Sequence, residues 1–387
     1  MKTKIVKKVK VKKEASKDYY KDYNYLNFLY NATHPKAYCS STPHQIYIEM
    51  TNVCNLRCSH CPRSTMRRKP QYMDIKLFKK IVKEISPYKP FVDLYLQGES
   101  LLHPKIVEIV KIAKQAGLLP RITSNCTLLK KELAKKLISA GLNKIEFSIS
   151  GATKETYESI HKGATFEKTL NNILDFLEEN AKAGFPVHTR TVFVEEEKTK
   201  NDKARYLELF SKLPIDHVYI SPLINMFGWN KEINLNPFKS LPKEKWPVCK
   251  CPWRQIGINS DGTVRACIFD YDSRYLIGDA NKENVIDVWN GKKMQNFRQT
   301  IINKKYEEFD KPGLPLCTEC SQIWPTGDKT NDSTQFPHDF NKEVETFFTE
   351  KQTNLKAKYL NPEIKNKKAE YLKKHRSEWL KNILTSD

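Results

Sequence analysis

Residues 49–62 read EMTNVCNLRCSHCP, placing Cys54, Cys58 and Cys61 in a C-x3-C-x2-C run directly after the β-rich segment QIYIEMT that begins at residue 45. That spacing lets three thiolates from one short piece of backbone converge on one metal centre. In a cubane [4Fe-4S] cluster each iron usually takes a thiolate, so three cysteines leave one iron open. An open iron can chelate the amino and carboxylate groups of a small molecule. Zinc is the competing reading, and it needs a fourth ligand such as His60 to close its tetrahedron.

Outward from this loop, short β-rich runs alternate with longer amphipathic stretches. Candidate strands begin at 45, 92, 120, 144, 187 and 217, and helical segments lie near 74–87, 104–116, 129–140, 165–183 and 200–213. The alternation predicts an α/β fold with a parallel sheet, and its six units predict a partial (β/α)6 barrel of the TIM type. In such arrays functional residues collect in the loops after the strands, where the cysteine run sits. Beyond a Pro- and Asn-rich stretch at 222–248, QIGINSDGTVRACIF reads as a hairpin turning at Asp261 and Gly262. A helix is expected over 286–302, with Trp289 inside it. The chain therefore divides into a basic extension (1–44), a barrel (45–225), a small second domain (226–335) and a Lys-rich helical tail (336–387).

The cysteine run and the segments after it resemble the radical S-adenosylmethionine (SAM) superfamily. LYLQGESLLHP at 94–104 resembles the family's G-G-E-P segment, which implies that Gly98 and Glu99 line the SAM amino group. ITSNCTLL at 122–129 resembles its T-N-G-T-L-L segment, so Ser124 and Asn125 are implied at the cofactor, with Cys126 in place of a glycine. FSISGATKETYESIHKG at 147–163 resembles S-I-D-G-A-x-x-E-T-Y-x-x-I-R-x-G, implying Ser148 as a SAM contact and putting Ser150 where aspartate is common. His60 stands where the family usually has an aromatic residue near the adenine. The resemblance implies reductive cleavage of SAM to a 5′-deoxyadenosyl radical that abstracts hydrogen, with electrons from a flavodoxin- or ferredoxin-type donor.

Cys249 through Cys320 resembles the SPASM or twitch extension of that superfamily, which carries an auxiliary [4Fe-4S] cluster. The resemblance rests on a cysteine before Trp253, the Asp261–Gly262 hairpin ahead of Cys267, the Gly278 and Trp289 segment, and the C-x2-C of Cys317 and Cys320. The implied ligands are Cys249, Cys267, Cys317 and Cys320, with Cys251 the alternative to Cys249. No cysteine follows Cys320, so one auxiliary cluster is expected. A zinc ribbon is the alternative. Four thiolates would close that cluster to substrate and favour electron transfer. The expected reaction is oxidation of a hydroxylated small molecule such as a sugar, cyclitol or nucleotide-linked precursor.

Two other functions compete. One is radical modification of a peptide or protein, against which residues 1–44 are too few for a leader-peptide domain. The other is a zinc-bearing nucleic-acid-binding protein, suggested by the basic tails. Arg63, Arg67, Arg68 and Lys69 after the cluster loop would suit a phosphate group or form a solvated basic loop. Arg190 and Glu195 would reach substrate or form structural salt bridges, the latter being preferred.

Composition agrees with a globular enzyme. The 387 residues carry a formal charge of +21, of which residues 1–13 contribute seven lysines without an acid, and residues 351–387 contribute ten Lys or Arg against four acids. The excess is mostly terminal, and solvated arms are preferred over anion-docking arms. No apolar run reaches the eighteen or so residues of a membrane span, and the N-terminus lacks the apolar core of a secretory signal. A cytoplasmic address is expected, with ten cysteines serving as ligands or buried thiols.

Overall fold

The computed structural model describes residues 26–28, 30–224, 242–310, 316–320 and 362–385. Strands β1 (Gln45–Ile48), β2 (Phe91–Asp93), β3 (Leu119–Ser124), β4 (Lys144–Ser148), β5 (His188–Glu195) and β6 (His217–Pro222) pair successively in parallel. Parallel neighbours need helical crossovers. These are α1 (Ile75–Ile85), α2 (Ile106–Gln115), α3 (Lys131–Ser139), the pair α4 (Lys154–Ile160) and α5 (Phe166–Lys182), and α6 (Lys203–Ser211). The six expected units are present. Helix α4 is an addition, started by Thr153, whose Oγ1 accepts the Thr156 N–H at 3.2 Å.

The sheet does not stop at the barrel. Its order is β6-β5-β4-β3-β2-β1, continuing through β7 (Gln255–Ile258), β8 (Thr263–Arg265) and β9 (Leu276–Asp279). β7 runs parallel to β1 with Gln255 opposite Gln45, and β7 and β8 form the expected antiparallel hairpin. Gly262 at its turn has φ +90°, a conformation that favours glycine. The barrel is thus open, and the second cysteine region grows from its β1 edge within one sheet.

The helix expected over 286–302 is two helices, α8 (Val285–Trp289) and α9 (Lys292–Ile302), following the single-turn α7 (Cys251–Arg254). The break has a physical cause. Asn290 turns aside to bond both the Cys39 N–H (3.0 Å) and the Cys39 carbonyl (2.8 Å), and Trp289 Nε1 donates to Ser41 O at 2.7 Å.

The tail helix α10 spans Pro362–Thr385 among the described residues, and the rest of the expected tail, residues 336–361, and the basic segment 1–13 lie outside them. It is no free arm. Trp379 is buried edge-on to Phe210, Arg376 pairs with Asp175 (2.8 Å) and Glu178 (2.7 Å), and Lys365 pairs with Asp216 at 2.6 Å.

Side chains alternate along the strands. Ile46, Ile48, Val92, Ile122, Ile145, Phe147 and Phe193 form the buried apolar face toward the helices. The inner face is polar: Gln45 and Arg121 both bond Asp93, and Glu146 pairs with Lys144 (2.6 Å) and Arg190 (3.6 Å). The inner face of the barrel therefore carries buried, mutually paired polar side chains.

Candidate active site

The loop carrying Cys54, Cys58 and Cys61 is braced from every side. Thr51 Oγ1 donates to Gln71 O (2.7 Å) and Asn52 Nδ2 to Lys69 O (2.8 Å), fixing its entry. Arg63 Nη2 donates back to Leu56 O at 3.0 Å, fixing its centre. At the end of β2, the Glu99 N–H donates to Val53 O at 2.8 Å. Gly98, at φ +80°, lies so close that an added Cβ would stand 2.3 Å from Thr51 O and 2.6 Å from Val53 O. Gly98 is thus where two backbones meet.

None of the ten cysteines is in a disulfide. Burial raises the pKa of Cys54, Cys58 and Cys61; for Cys58 the value is pushed up to about 12, first by burial and then by the neighbouring Cys61 and Cys54. Three sulfurs near enough to oppose one another's ionisation fit a shared cationic core, which would stabilise all three as thiolates. Among the described residues no three His, Cys, Asp or Glu side chains are grouped for a single metal ion. A zinc ion would need its sulfurs all within about 2.3 Å of itself.

Around the loop stand the residues expected at the cofactor. Glu99 is buried, and its carboxylate accepts Ser124 Oγ–H (2.9 Å), the Asn125 N–H (2.8 Å) and the Leu101 N–H (3.1 Å). Burial raises its pKa, and these three bonds act in the opposite sense. Asn125 Nδ2 lies 3.8 Å from Cys54 Sγ and 3.1 Å from Asn55 Oδ1. Cys126 adopts φ +62°, the left-handed turn for which glycine is the usual choice. His60 Nδ1 lies 3.1 Å from Glu196 Oε1. Ser148 ends β4, half-buried and in register with Val192.

Two sequence readings of basic residues are resolved by their partners. Arg68 is not available to a phosphate: Nη1 and Nη2 chelate the fully buried Glu49 (2.9 and 2.5 Å), and Nε donates to Tyr271 O at 3.0 Å. Arg67 and Lys69 are exposed. Arg190 pairs with Glu146 and lies over the Tyr219 ring at 3.9 Å, while Glu195 pairs with Lys203 at 3.0 Å, the structural arrangement preferred above.

Two residues at the site carry no signal of their own in the sequence reading. Arg265, two positions before Cys267, donates to Gln97 Oε1 at 2.6 Å and so joins the second cysteine region to the residue before Gly98. His161 lies 3.4 Å from Cys58 Sγ through Nδ1.

The second cysteine set is brought together from three segments. The pKa of Cys317 is raised well above its ordinary value by burial and then by Cys267, Cys320 and Cys249; that of Cys251 is raised by its hydrogen bond to Cys249, by burial, and by Cys249, Cys267 and Cys320. The five thiols share one locale in which Cys251, Cys317 and Cys320 are buried and Cys249 and Cys267 half-buried. Cys249 is the acceptor of the Cys251 hydrogen, which lowers its pKa, and its N–H donates to Tyr306 Oη at 3.2 Å. Trp253 and Trp289 are core anchors; the Trp253 indole donates to Lys36 O at 2.8 Å.

An open parallel barrel with three thiols at its mouth, extended by a hairpin unit holding five more, defines an iron–sulfur enzyme. Residues 48–205 match the model of the Radical SAM superfamily, and residues 249–321 match that of the SPASM iron-sulfur cluster-binding domain. The chain belongs to the radical SAM superfamily and carries a SPASM domain, with SAM and two [4Fe-4S] clusters as its cofactors. It is 25% identical over 322 residues to the tungsten-containing aldehyde ferredoxin oxidoreductase cofactor-modifying protein of Pyrococcus furiosus, covering 71% of this chain and 86% of that protein. It is 31% identical over 154 residues to the AdoMet-dependent heme synthase of Methanosarcina barkeri, covering 39% of this chain and 43% of that one. Streptococcus suis SuiB bound to S-adenosylmethionine shares the fold, with TM-score 0.56 and 15% identity over 76% of this chain and 77% of that one. Among the described residues, no helix is long and apolar enough to cross a membrane.

Proposed function

We propose that this enzyme dehydrogenates a polar, hydroxylated small molecule such as a sugar, cyclitol or nucleotide-linked precursor. The observation that carries the reading is the joining of two cysteine sets through one sheet: Cys54, Cys58 and Cys61 follow β1, and the second set is carried by the segments around β7 and β8, which extend the sheet from β1. A second redox centre would take the electron left on a substrate radical, which favours oxidation. When loaded, the clusters and SAM supply one-electron chemistry: a 5′-deoxyadenosyl radical that takes a hydrogen atom, and an acceptor for the substrate's second electron.

Cys54, Cys58 and Cys61 would hold the SAM-binding cluster. Cys249, Cys267, Cys317 and Cys320 would hold the auxiliary one, with Cys251 donating to the Cys249 sulfur. Glu99 would orient Ser124 and Asn125 toward SAM, Gly98 and Glu99 would line its amino group, Ser148 would contact it from β4, and His60 would pack beside the adenine. On this reading the carbinol C–H would leave as a hydrogen atom and the hydroxyl proton would pass to water, and the group held by Cys249, Cys267, Cys317 and Cys320 would supply the acceptor for the remaining electron. A flavodoxin- or ferredoxin-type protein would deliver the initiating electron, and ten cysteines without a disulfide suit a reducing cytoplasm.

A second reading is modification of a cofactor or peptide, favoured by the 322-residue match to a protein named as cofactor-modifying. Anaerobic assay with carbinol-deuterated candidates separates the two. Dehydrogenation moves deuterium into 5′-deoxyadenosine and yields a product two hydrogens lighter, and absence of both for every polyol tested would remove the first reading.

A further inference from the structure

Cys58 and His161 lie on two segments whose backbones are zipped together. The Arg57 N–H donates to Lys162 O (3.0 Å) and the Ser59 N–H to Ile160 O (2.9 Å), setting residue 161 against residue 58. His161 is 1% exposed, so each ring nitrogen must find its partner within the protein. The ring is stacked on Tyr157 at 4.5 Å between centroids, and the Tyr157 hydroxyl donates to Thr169 Oγ1 at 3.1 Å. His60 meets the other side edge-on at 5.8 Å. The imidazole is held on both faces.

Its two nitrogens have distinct neighbours. Nε2 faces the Ser150 backbone N–H at 3.0 Å, and Nδ1 faces Cys58 Sγ at 3.4 Å. A backbone N–H can only donate, so Nε2 must present its lone pair and the ring proton must sit on Nδ1. The Ser150 amide is itself fixed: its Oγ accepts the Val194 N–H at 3.0 Å, and an added Cβ on the next residue, Gly151, would stand 2.7 Å from Tyr157 N. The tautomer is therefore written into the loop, and the N–H points at sulfur.

We propose that His161 is a positioning residue for the electron chemistry, donating Nδ1–H to the Cys58 sulfur and thereby raising the reduction potential of the cluster that Cys54, Cys58 and Cys61 hold. The proposal rests on the reading of Cys58 as a cluster ligand. Hydrogen bonds to ligand sulfurs stabilise the added negative charge of a reduced cluster, and outer partners of this kind tune metal sites.

The test is an EPR-monitored redox titration of the reconstituted full chain, following the signal that responds to SAM. In His161→Phe and His161→Gln the donor to Cys58 is gone, and the reduction equilibrium should become about tenfold less favourable, a fall of about 59 mV for one electron. His161→Asn keeps an N–H at the δ position and should stay near the wild-type potential. An unchanged potential in His161→Phe, or an Asn variant that falls as far as Phe, overturns the proposal. A second measurement needs no cluster: nitrogen-15 NMR of the histidine-labelled, iron-free chain should show His161 as the Nδ1–H tautomer, and an Nε2–H tautomer overturns it. Wild-type protein that binds no iron at the first cysteine set fails the underlying reading, which the tautomer measurement does not depend on.

Discussion

The Glu99 carboxylate accepts the Asn125 backbone N–H at 2.8 Å, tying the end of β2 to the end of β3 beside the cysteine loop. The same carboxylate takes the Ser124 hydroxyl, so one buried acid sets the posture of two residues expected at SAM. Glu99→Gln replaces one acceptor oxygen by an amide that cannot accept. It should cost about 1–3 kcal/mol of stability. SAM affinity should fall about tenfold, or about 1.4 kcal/mol. Denaturant unfolding and equilibrium SAM binding check both, and an unaltered variant would remove Glu99 from this role.

Gly98→Ala tests the close approach of the segment after β2 to the cysteine loop. The new methyl would meet two backbone carbonyls, at 2.3 and 2.6 Å, in a residue already at φ +80°. Neither carbonyl belongs to a flexible side chain. We expect a loss of several kcal/mol or failure to retain the SAM-binding cluster. Thermal unfolding and iron content of the purified variant read this directly; wild-type values for both would show that the loop can move aside.

Arg67→Ala and Arg68→Ala should behave oppositely despite their adjacency. Arg67 is exposed, whereas Arg68 chelates the buried Glu49, which also accepts Ser260 Oγ–H at 2.9 Å. Removing Arg68 strands a buried carboxylate and should cost about 3–5 kcal/mol. Arg67→Ala should leave both melting temperature and substrate affinity as they were. A loss of affinity in Arg67→Ala, with stability intact, would restore the phosphate reading of this loop.

Asp216 gives the fold a defined acid sensitivity. Burial alone would raise its pKa, but hydrogen bonds from His188, Lys365 and the Thr189 amide outweigh that and hold it at about 2, against an ordinary 3.8. A depressed carboxylate pKa stabilises the fold above the unfolded value, and that stability is lost as pH falls through the folded one. Wild type should therefore lose about 1–2 kcal/mol between about pH 4 and pH 2, and Asp216→Asn should lack that increment at neutral pH. Unfolding curves across this range check the sign; equal pH slopes for the two proteins would refute it.

The six βα units were legible because each strand is an apolar β-rich run and each crossover helix shows a 3.6-residue apolar stripe. The cysteines were legible as spacing. What periodicity could not show was how segments distant in the chain meet. The pairing of β7 with β1 depends on Gln255 lying opposite Gln45, about which neither run carries a local signal. The split of the 286–302 helix depends on Asn290 binding residue 39, a tertiary bond that overrides helix propensity. The engagement of Arg68 likewise needed Glu49, nineteen residues earlier, to be seen across the loop. His161 lies inside the quoted 147–163 segment, yet only its two partners reveal the ring's orientation.

The measurement that bears most directly on the central claim is the response of the first cluster to SAM in protein reconstituted without oxygen. Two cubanes predict about eight irons per chain, falling to about four when Cys54, Cys58 and Cys61 are all alanine. In the wild type, SAM should change the EPR spectrum of the reduced protein, and 5′-deoxyadenosine should form. The triple variant should keep the auxiliary signal and produce none. A wild-type spectrum indifferent to SAM, or 5′-deoxyadenosine formed equally by the triple variant, would contradict the account.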